Sequence, residues 1–266
     1  MKLTHMFSVL FLYLFFLLAI FLFQRKMIFF PETYPLARQT EFISHFNLKP
    51  WPSKENYRGF ISRNELIQPK GTILIFHGNA GSARGRIYFI EALEQLGYRI
   101  ILAEYPGYGA RAGQPSESVF FEDSLKTALL AQKSFAGPFF LWGESLGTGV
   151  VSGIVKTGKV KTKGIILMMP FDSLANIAQH HYWFFLGKWL TRDKFNNLTN
   201  LKNYSGSTAV ILAGKDEIIP TKNTLKLYDA IPRNKQLWRF AESGHNSLPV
   251  HPSSSWWREV MGFVDD

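Results

Sequence analysis

Five short, almost unbroken apolar runs limit what this chain can fold into. They are Thr72 to Phe76, Ile100 to Ala103, Phe139 to Trp142, Gly164 to Met169 and Thr208 to Leu212. A strand with one wet face alternates apolar and polar residues, whereas runs without alternation suit strands covered on both faces of a parallel sheet. A further strand is expected around Gln236 to Phe240. Between the runs lie helix-like segments, clearest over Ser116 to Phe135, where Phe120, Leu125, Leu129 and Leu130 share one face. Strands alternating with helices predict an α/β fold built on a doubly wound, mostly parallel sheet. With 266 residues, 46% hydrophobic and 19% charged, there is material for one domain with a sizeable core.

The amino terminus obeys a different rule. Met6 to Phe23 carries no charge, and at about 1.5 Å per residue it reaches about 27 Å as a helix, close to the thickness of a hydrocarbon core. The run ends in Phe23-Gln24-Arg25-Lys26, without the small residues a signal peptidase needs, so a retained transmembrane helix is expected. Arg25, Lys26 and Arg38 follow the run and Lys2 precedes it, a bias that favours a cytoplasmic catalytic domain on a single-pass anchor. The expected division is an anchor over 1–26, a connector over 27–56 and a catalytic domain over 57–266. Pro31, Pro35, Pro50 and Pro52 make the connector read as irregular.

Composition narrows the chemistry. There are 30 Lys and Arg against 20 Asp and Glu, for a formal charge of +10. The basic residues are scattered, and no nucleic-acid-binding motif accompanies them, so no nucleic-acid partner is expected. The charge suits an anionic membrane surface or simple solubility. The chain has no cysteine, which removes disulfides, thiolate metal sites and a cysteine nucleophile. No histidine and carboxylate spacing matches a metal site, and no cofactor is expected.

The strongest local signal is Gly143-Glu144-Ser145-Leu146-Gly147, directly after the run ending at Trp142 and before a stretch of small residues. Strand, sharp turn and helix are the context in which Gly-x-Ser-x-Gly exposes a nucleophilic hydroxyl. Glycines two positions either side remove side chains that would collide with neighbouring backbone, and the Leu146 N–H at the helix start becomes an oxyanion donor. Gly149 and Gly153 are expected to let that helix approach the sheet.

Three further segments end strands on the same edge. His77-Gly78-Asn79-Ala80-Gly81 follows Phe76, and Asn79 or Ala80 is expected to supply the second oxyanion N–H. His77 could serve as a base, but a structural hydrogen-bonding role fits its strand-end position better. Asp216 follows the Thr208–Leu212 run, and His245 follows the last strand, giving the order serine, acid, histidine. His245 would then be the base and Asp216 the residue that orients it, with Asp172 and Glu217 as rival acids. His180 and His181 sit in an aromatic stretch and read as packing or surface residues.

Taken together, Phe76-His77-Gly78-Asn79-Ala80-Gly81, Tyr105-Pro106-Gly107-Tyr108-Gly109, Pro115-Ser116-Glu117, Gly143 to Gly147, Asp216 to Pro220 and Gly244-His245-Asn246 resemble one branch of the α/β hydrolases. That branch holds membrane-anchored serine hydrolases related to protein depalmitoylases and lysophospholipid lipases. The resemblance implies the α/β-hydrolase fold, Ser145, Asp216 and His245 as a triad, and an anchor leading into the hydrolase domain. Two departures stand out: Glu144 occupies a place where many relatives carry a basic residue, and the cysteine-rich amino terminus of the depalmitoylases is missing.

Between Met169 and Thr208 lies an insertion at about 171–206, dense in aromatics at Tyr182, Trp183, Phe184, Phe185 and Trp189. It is expected to form a small cap. Its rings are expected to pack the cap onto the domain, with an acyl-chain groove or a membrane-facing surface as the alternative. The expected activity is cleavage of carboxylic esters or thioesters of small or lipid-like acyl substrates, with membrane lipid as partner of the anchor. A serine peptidase of related fold and a catalytically silent membrane scaffold are the competing functions. The tyrosines of the 105–109 loop need no ligand, since the turn glycines explain that segment.

Overall fold

The computed structural model describes residues 3–64, 68–232 and 234–266. Lys2 and the side chain of Phe185, both used above, lie outside the described residues. In chain order the elements are α1 (Leu3–Ile28), β1 (Phe30–Pro31), α2 (Leu36–Ser44), β2 (Leu48–Trp51), β3 (Gly59–Ser62), β4 (Thr72–Phe76) and β5 (Ala80–Gly81). Then follow α3 (Tyr88–Glu94), β6 (Arg99–Ala103), α4 (Glu117–Ser134), β7 (Phe139–Glu144), α5 (Leu146–Lys156) and β8 (Gly164–Met168). The insertion contributes α6 (Leu174–His181), α7 (Gly187–Leu190) and α8 (Asn197–Leu201), after which come β9 (Ser207–Ala213), α9 (Thr221–Ala230), β10 (Lys235–Phe240) and α10 (Trp256–Asp265).

Among the described residues the main sheet has eight strands in the order β10-β9-β8-β7-β4-β6-β3-β2. Neighbours from β10 to β6 pair parallel, and β3 and β2 close one edge antiparallel. The expected α/β-hydrolase fold is therefore present. Residue alternation along the strands sorts the core into two layers. Leu74, Phe76, Leu141, Leu167 and Val210 point to the side of α4 and α5, while Ile73, Ile75, Trp142, Ile166 and Ile211 point to the side of α3 and α10. Both faces are dry, which is why the runs carry no polar alternation. Chain order reverses between β4 and β7, since β6 lies on one side of β4 and β7 on the other. A reversal of this kind opens a crevice at the carboxyl ends of the strands, so the loops after β4 and β7 are where a site belongs.

Three expectations need correction. The proline-bearing connector is not irregular: α2 and β2 form within it, and β2 is an edge of the main sheet. Pro50 is tolerated there because an edge strand has an unpaired side on which a missing N–H is harmless. Gly149 and Gly153 do not face the sheet. A Cβ at Gly149 would lie 2.6 Å from the Phe195 ring and one at Gly153 2.5 Å from Phe121, so these glycines admit the cap's trailing segment and α4.

The third correction concerns the cap aromatics. Tyr182 is 52% exposed, Trp183 68%, Phe184 57% and Trp189 79%, so these rings do not pack the cap onto the domain. Polar anchors hold the cap instead. Buried Asp172 accepts from the Ser173 N–H at 2.7 Å, Asn176 Nδ2 at 2.6 Å, Asn223 Nδ2 at 2.9 Å and Lys226 Nζ at 2.9 Å. Asn197 Oδ1 accepts from the Ser152 hydroxyl of α5 at 2.7 Å.

Helix α1 contains no glycine or proline to break it, and its span His5–Ile28 is long and apolar enough to cross a membrane. At its carboxyl end Phe29 turns into the core against Phe120, with ring centroids 5.3 Å apart. The chain then pairs Phe30 with Ala80 and Pro31 with Gly81, joining the end of α1 to the loop after β4.

Candidate active site

Strand β7 delivers Ser145 to the carboxyl edge, and the serine turns there with φ 50° and ψ −114°. A left-handed φ is strained for a residue with a Cβ, and such strain persists only where packing enforces it. Here the Ser145 N–H is fixed on the Met168 carbonyl at 2.8 Å. The flanking glycines are sterically required. A Cβ at Gly143 would lie 2.5 Å from the Gly147 carbonyl oxygen, and one at Gly147 2.1 Å from that of Phe76. Because α5 begins at Leu146, the Leu146 N–H has no acceptor within the helix and lies at its positive end, beside the serine.

The structure brings Ser145, His245 and Asp216 together. His245 Nε2 lies 3.0 Å from Ser145 Oγ, and His245 Nδ1 lies 2.8 Å from Asp216 Oδ2. A carboxylate can only accept, so Nδ1 carries the proton it donates to Asp216, and Nε2 is left to accept from the serine hydroxyl. The other oxygen, Asp216 Oδ1, accepts from the N–H groups of Ile218 at 2.9 Å and Ile219 at 2.7 Å, which fixes the carboxylate plane. Ser145 and His245 are both buried, so the pair is shielded from bulk water.

The rival residues are elsewhere engaged. Glu217 Oε2 accepts from the His245 backbone N–H at 3.1 Å and so positions that loop rather than the imidazole. Asp172 is surrounded by the four donors of the cap anchor, which outweigh its burial and hold its carboxyl below the usual carboxylate range. His77 is buried, with Nδ1 on the Gly78 carbonyl at 2.8 Å and Nε2 on Glu104 Oε1 at 3.1 Å. With acceptors at both ring nitrogens it plays the structural part expected of it. His181 Nε2 donates to the Ile218 carbonyl at 2.9 Å, tying the end of α6 to the loop that carries Asp216.

The loop after β4 passes directly beside the serine: a Cβ at Gly78 would lie 3.5 Å from that of Ser145. Asn79 is pinned on three sides. Its carbonyl accepts from the Phe30 N–H at 3.0 Å and the Tyr108 hydroxyl at 2.7 Å, and its Nδ2 donates to the Ile28 carbonyl at 2.8 Å. Ala80 is exposed and paired with Phe30. The Tyr105 hydroxyl donates to the His77 carbonyl at 2.8 Å. The two tyrosines thus brace this loop, a role that no local pattern in the 105–109 segment announces.

Sequence reasoning also missed Arg86. Its guanidinium forms two bonds to Glu144, Nε to Oε2 at 2.8 Å and Nη2 to Oε1 at 2.9 Å. Burial works against both charges, yet the pairing more than offsets it: the Arg86 pKa stands above its ordinary value and that of Glu144 below. A carboxylate one residue from Ser145 would repel negative charge developing on a substrate oxygen, and Arg86 neutralises it.

The serine aminopeptidase, S33, family matches residues 67–200, half of the chain. The lysophosphatidylserine lipase ABHD12 of Danio rerio is 31% identical over 204 residues, which cover 69% of this chain and 52% of that protein. The lysophosphatidylserine lipase ABHD12 of Gallus gallus is 32% identical over 176 residues, 59% of this chain and 46% of its own length. The chain therefore spans about half the length of the curated relatives it matches. Among solved structures, the esterase Pf2001 of Pyrococcus furiosus superposes with a TM-score of 0.61 at 15% identity, covering 77% of this chain and 84% of that one, a likeness of fold.

Proposed function

The chain belongs to the serine aminopeptidase, S33, family of the α/β-hydrolase superfamily, and from that premise we propose that it is a serine hydrolase cleaving carboxylic ester or thioester bonds of lipid-like acyl substrates. The reading rests chiefly on one observation: a strained serine at the switch point of the sheet, 3.0 Å from an imidazole whose far nitrogen is held by a carboxylate. Likeness to lysophosphatidylserine lipases supports an acyl-ester substrate.

In the proposed reaction Ser145 Oγ attacks the carbonyl carbon while its proton passes to His245 Nε2. Asp216 orients the ring and stabilises the imidazolium. The developing oxyanion is held by the Leu146 N–H together with that of Asn79 or Ala80. Collapse expels the alcohol or thiol, which takes the proton from His245 and leaves an acyl-serine. Water, deprotonated by His245, then releases the carboxylic acid and restores the serine. We further assign α1 as a retained anchor, with the catalytic domain on the cytoplasmic side that Arg25 and Lys26 favour.

A fluorophosphonate probe is expected to label the wild type, and Ser145→Ala to abolish both labelling and p-nitrophenyl ester turnover. Labelling that persists in Ser145→Ala would remove Ser145 from its role. The family's description favours a peptidase as second reading; turnover of amino-acid amides in preference to esters would establish it.

A further inference from the structure

Helix α1 is covered along one side and over only part of its length. Tyr13, Leu17, Ile20, Gln24 and Ile28 are partly or fully buried, at spacings of three and four that make one stripe along the helix. From His5 to Leu12 every residue is exposed. The cap lies against the stripe and holds it at three heights. The Tyr13 hydroxyl donates to the Phe184 carbonyl at 2.9 Å, and the two rings meet edge to face with centroids 5.7 Å apart. Gln24 donates to the Leu190 carbonyl at 3.1 Å and accepts from the Arg192 N–H at 2.8 Å. At the base Arg25 forms two bonds to buried Asp193, at 2.8 and 3.1 Å.

These heights match half of a bilayer. Tyr13 stands about 18 Å along the axis from Arg25, and His5 about 12 Å beyond Tyr13. One leaflet of a hydrocarbon core about 30 Å thick is about 15 Å deep. With Arg25 at the headgroups, the cap therefore reaches about as far as one leaflet does, and α1 continues alone through the other.

The cap segment beside α1 is suited to that depth. Trp183, Phe184, Leu186 and Trp189 are exposed, and a patch of such residues facing water would be a liability. Backbone donors in this segment are met from within the protein, as hydrocarbon demands. The N–H of Leu186 goes to the Trp183 carbonyl, those of Trp189 and Leu190 to Leu186, that of Thr191 to Gly187 and that of Lys188 to Gln179 Oε1. At the deepest attachment the Tyr13 hydroxyl and the Phe184 carbonyl satisfy each other. The charges lie nearer the base. Arg192 sits over the Phe21 ring at 5.3 Å, one helical turn from Arg25, and Lys188 is two residues before Leu190, within a stem's length of the headgroups. Trp189, next to Leu190, falls at the level where tryptophan is favoured in membranes.

We propose that the cap is immersed together with α1 in the leaflet on the catalytic side, its exposed rings covered by lipid chains. The partner of this surface is the bilayer itself. The proposal rests on the assignment of α1 as an anchor and is independent of the reaction at Ser145.

The test uses the whole chain in phosphatidylcholine vesicles. Since the chain has no cysteine, single cysteines at exposed sites can each carry one NBD fluorophore. Trp183→Cys and Trp189→Cys report on the cap, Phe16→Cys on α1, and Leu129→Cys on α4 at the far edge of the sheet. Both cap probes are expected to emit to the blue of the Leu129 probe, to resist iodide as the Phe16 probe does, and to be quenched several-fold more than Leu129 by nitroxide-bearing lipid. Nitroxides near the chain ends are expected to quench Trp183 the more strongly, and nitroxides near the headgroups Trp189. Iodide quenching at both cap sites, with Phe16 in lipid, overturns the proposal and leaves the anchor standing. Cap probes shielded from iodide and from nitroxide alike would mean that protein, such as a second copy, covers the rings, which also overturns it. Iodide quenching at Phe16 would remove the anchor assignment and the proposal with it.

Discussion

Arg86 and Glu144, 58 positions apart, are joined by two hydrogen bonds immediately behind Ser145. The side chains are only 18% and 12% exposed, so each charge depends on the other for its solvation. Arg86→Met strands a buried carboxylate and is expected to destabilise the protein by about 3–5 kcal/mol. Arg86→Met combined with Glu144→Gln is expected to recover most of that loss. Denaturant midpoints of the two single variants, the double variant and the wild type in detergent check this. Equal losses in the single Arg86 variant and the double variant would show that the charge balance is immaterial.

Asp216 and Asp172 both end strands of the sheet, and substitution separates their parts. Asp216→Asn keeps the size of the side chain but favours the wrong imidazole tautomer, so kcat is expected to fall about 10³- to 10⁴-fold with stability little changed. Asp172→Ala leaves four donors, two in the cap and two on α9, without their acceptor and is expected to cost about 3 kcal/mol in stability. Steady-state kinetics and thermal unfolding, run on both variants, distinguish the outcomes. A large kcat loss in Asp172→Ala with unaltered unfolding would reverse the assignment.

Gly147→Ala drives a methyl group into the Phe76 carbonyl, at a separation where backbone must move. Expected destabilisation is about 3 kcal/mol or more, with loss of probe labelling. Gly262 is the contrasting case, since it lies within α10 and a Cβ there meets open space. Gly262→Ala is expected to raise stability by about 0.5–1 kcal/mol. Melting temperatures that moved in the same direction for both variants would contradict the packing argument.

Stability should fail at both ends of the pH scale. Glu144 and Asp172 have depressed pKa values, the first because Arg86 outweighs its burial and the second because four donors do. Their contribution is complete above about pH 4.5, the ordinary value for Glu144, and is lost as pH falls through the depressed values. Tyr57, Tyr105 and Tyr108 have raised pKa values, chiefly through burial. Their contribution is complete below about pH 10 and is lost as pH rises further, each ionising tyrosine removing about 1.4 kcal/mol per pH unit. Unfolding followed by circular dichroism against pH measures both limbs. A flat profile from pH 10 to 12 would contradict the second.

The parts of the fold that were legible in the sequence are those where a single physical requirement governs a contiguous stretch. The strand at Thr72–Phe76 was readable because both its faces had to be dry, and the turn at Ser145 because a Cβ at either flanking glycine would run into backbone. Strand β2 was hidden by its brevity and by Pro50, which is acceptable only because β2 turned out to be an edge. The cap rings were misread for a different reason: composition says that Trp183 and Trp189 avoid water, and is silent on whether protein or lipid does the covering. Arg86 with Glu144, and Tyr105 with the His77 carbonyl, are pairings across distant segments that leave no periodic trace.

The short pairing of Phe30–Pro31 with Ala80–Gly81 makes the tether inseparable from the machinery. In many anchored enzymes a protease cutting at the stalk sets free a working catalyst. Here a cut between Pro31 and Glu32 would free from the chain the Phe30 N–H that holds the Asn79 carbonyl, in the loop that passes beside Ser145. Cleavage there is therefore expected to slow the proposed hydrolysis rather than release a working catalyst.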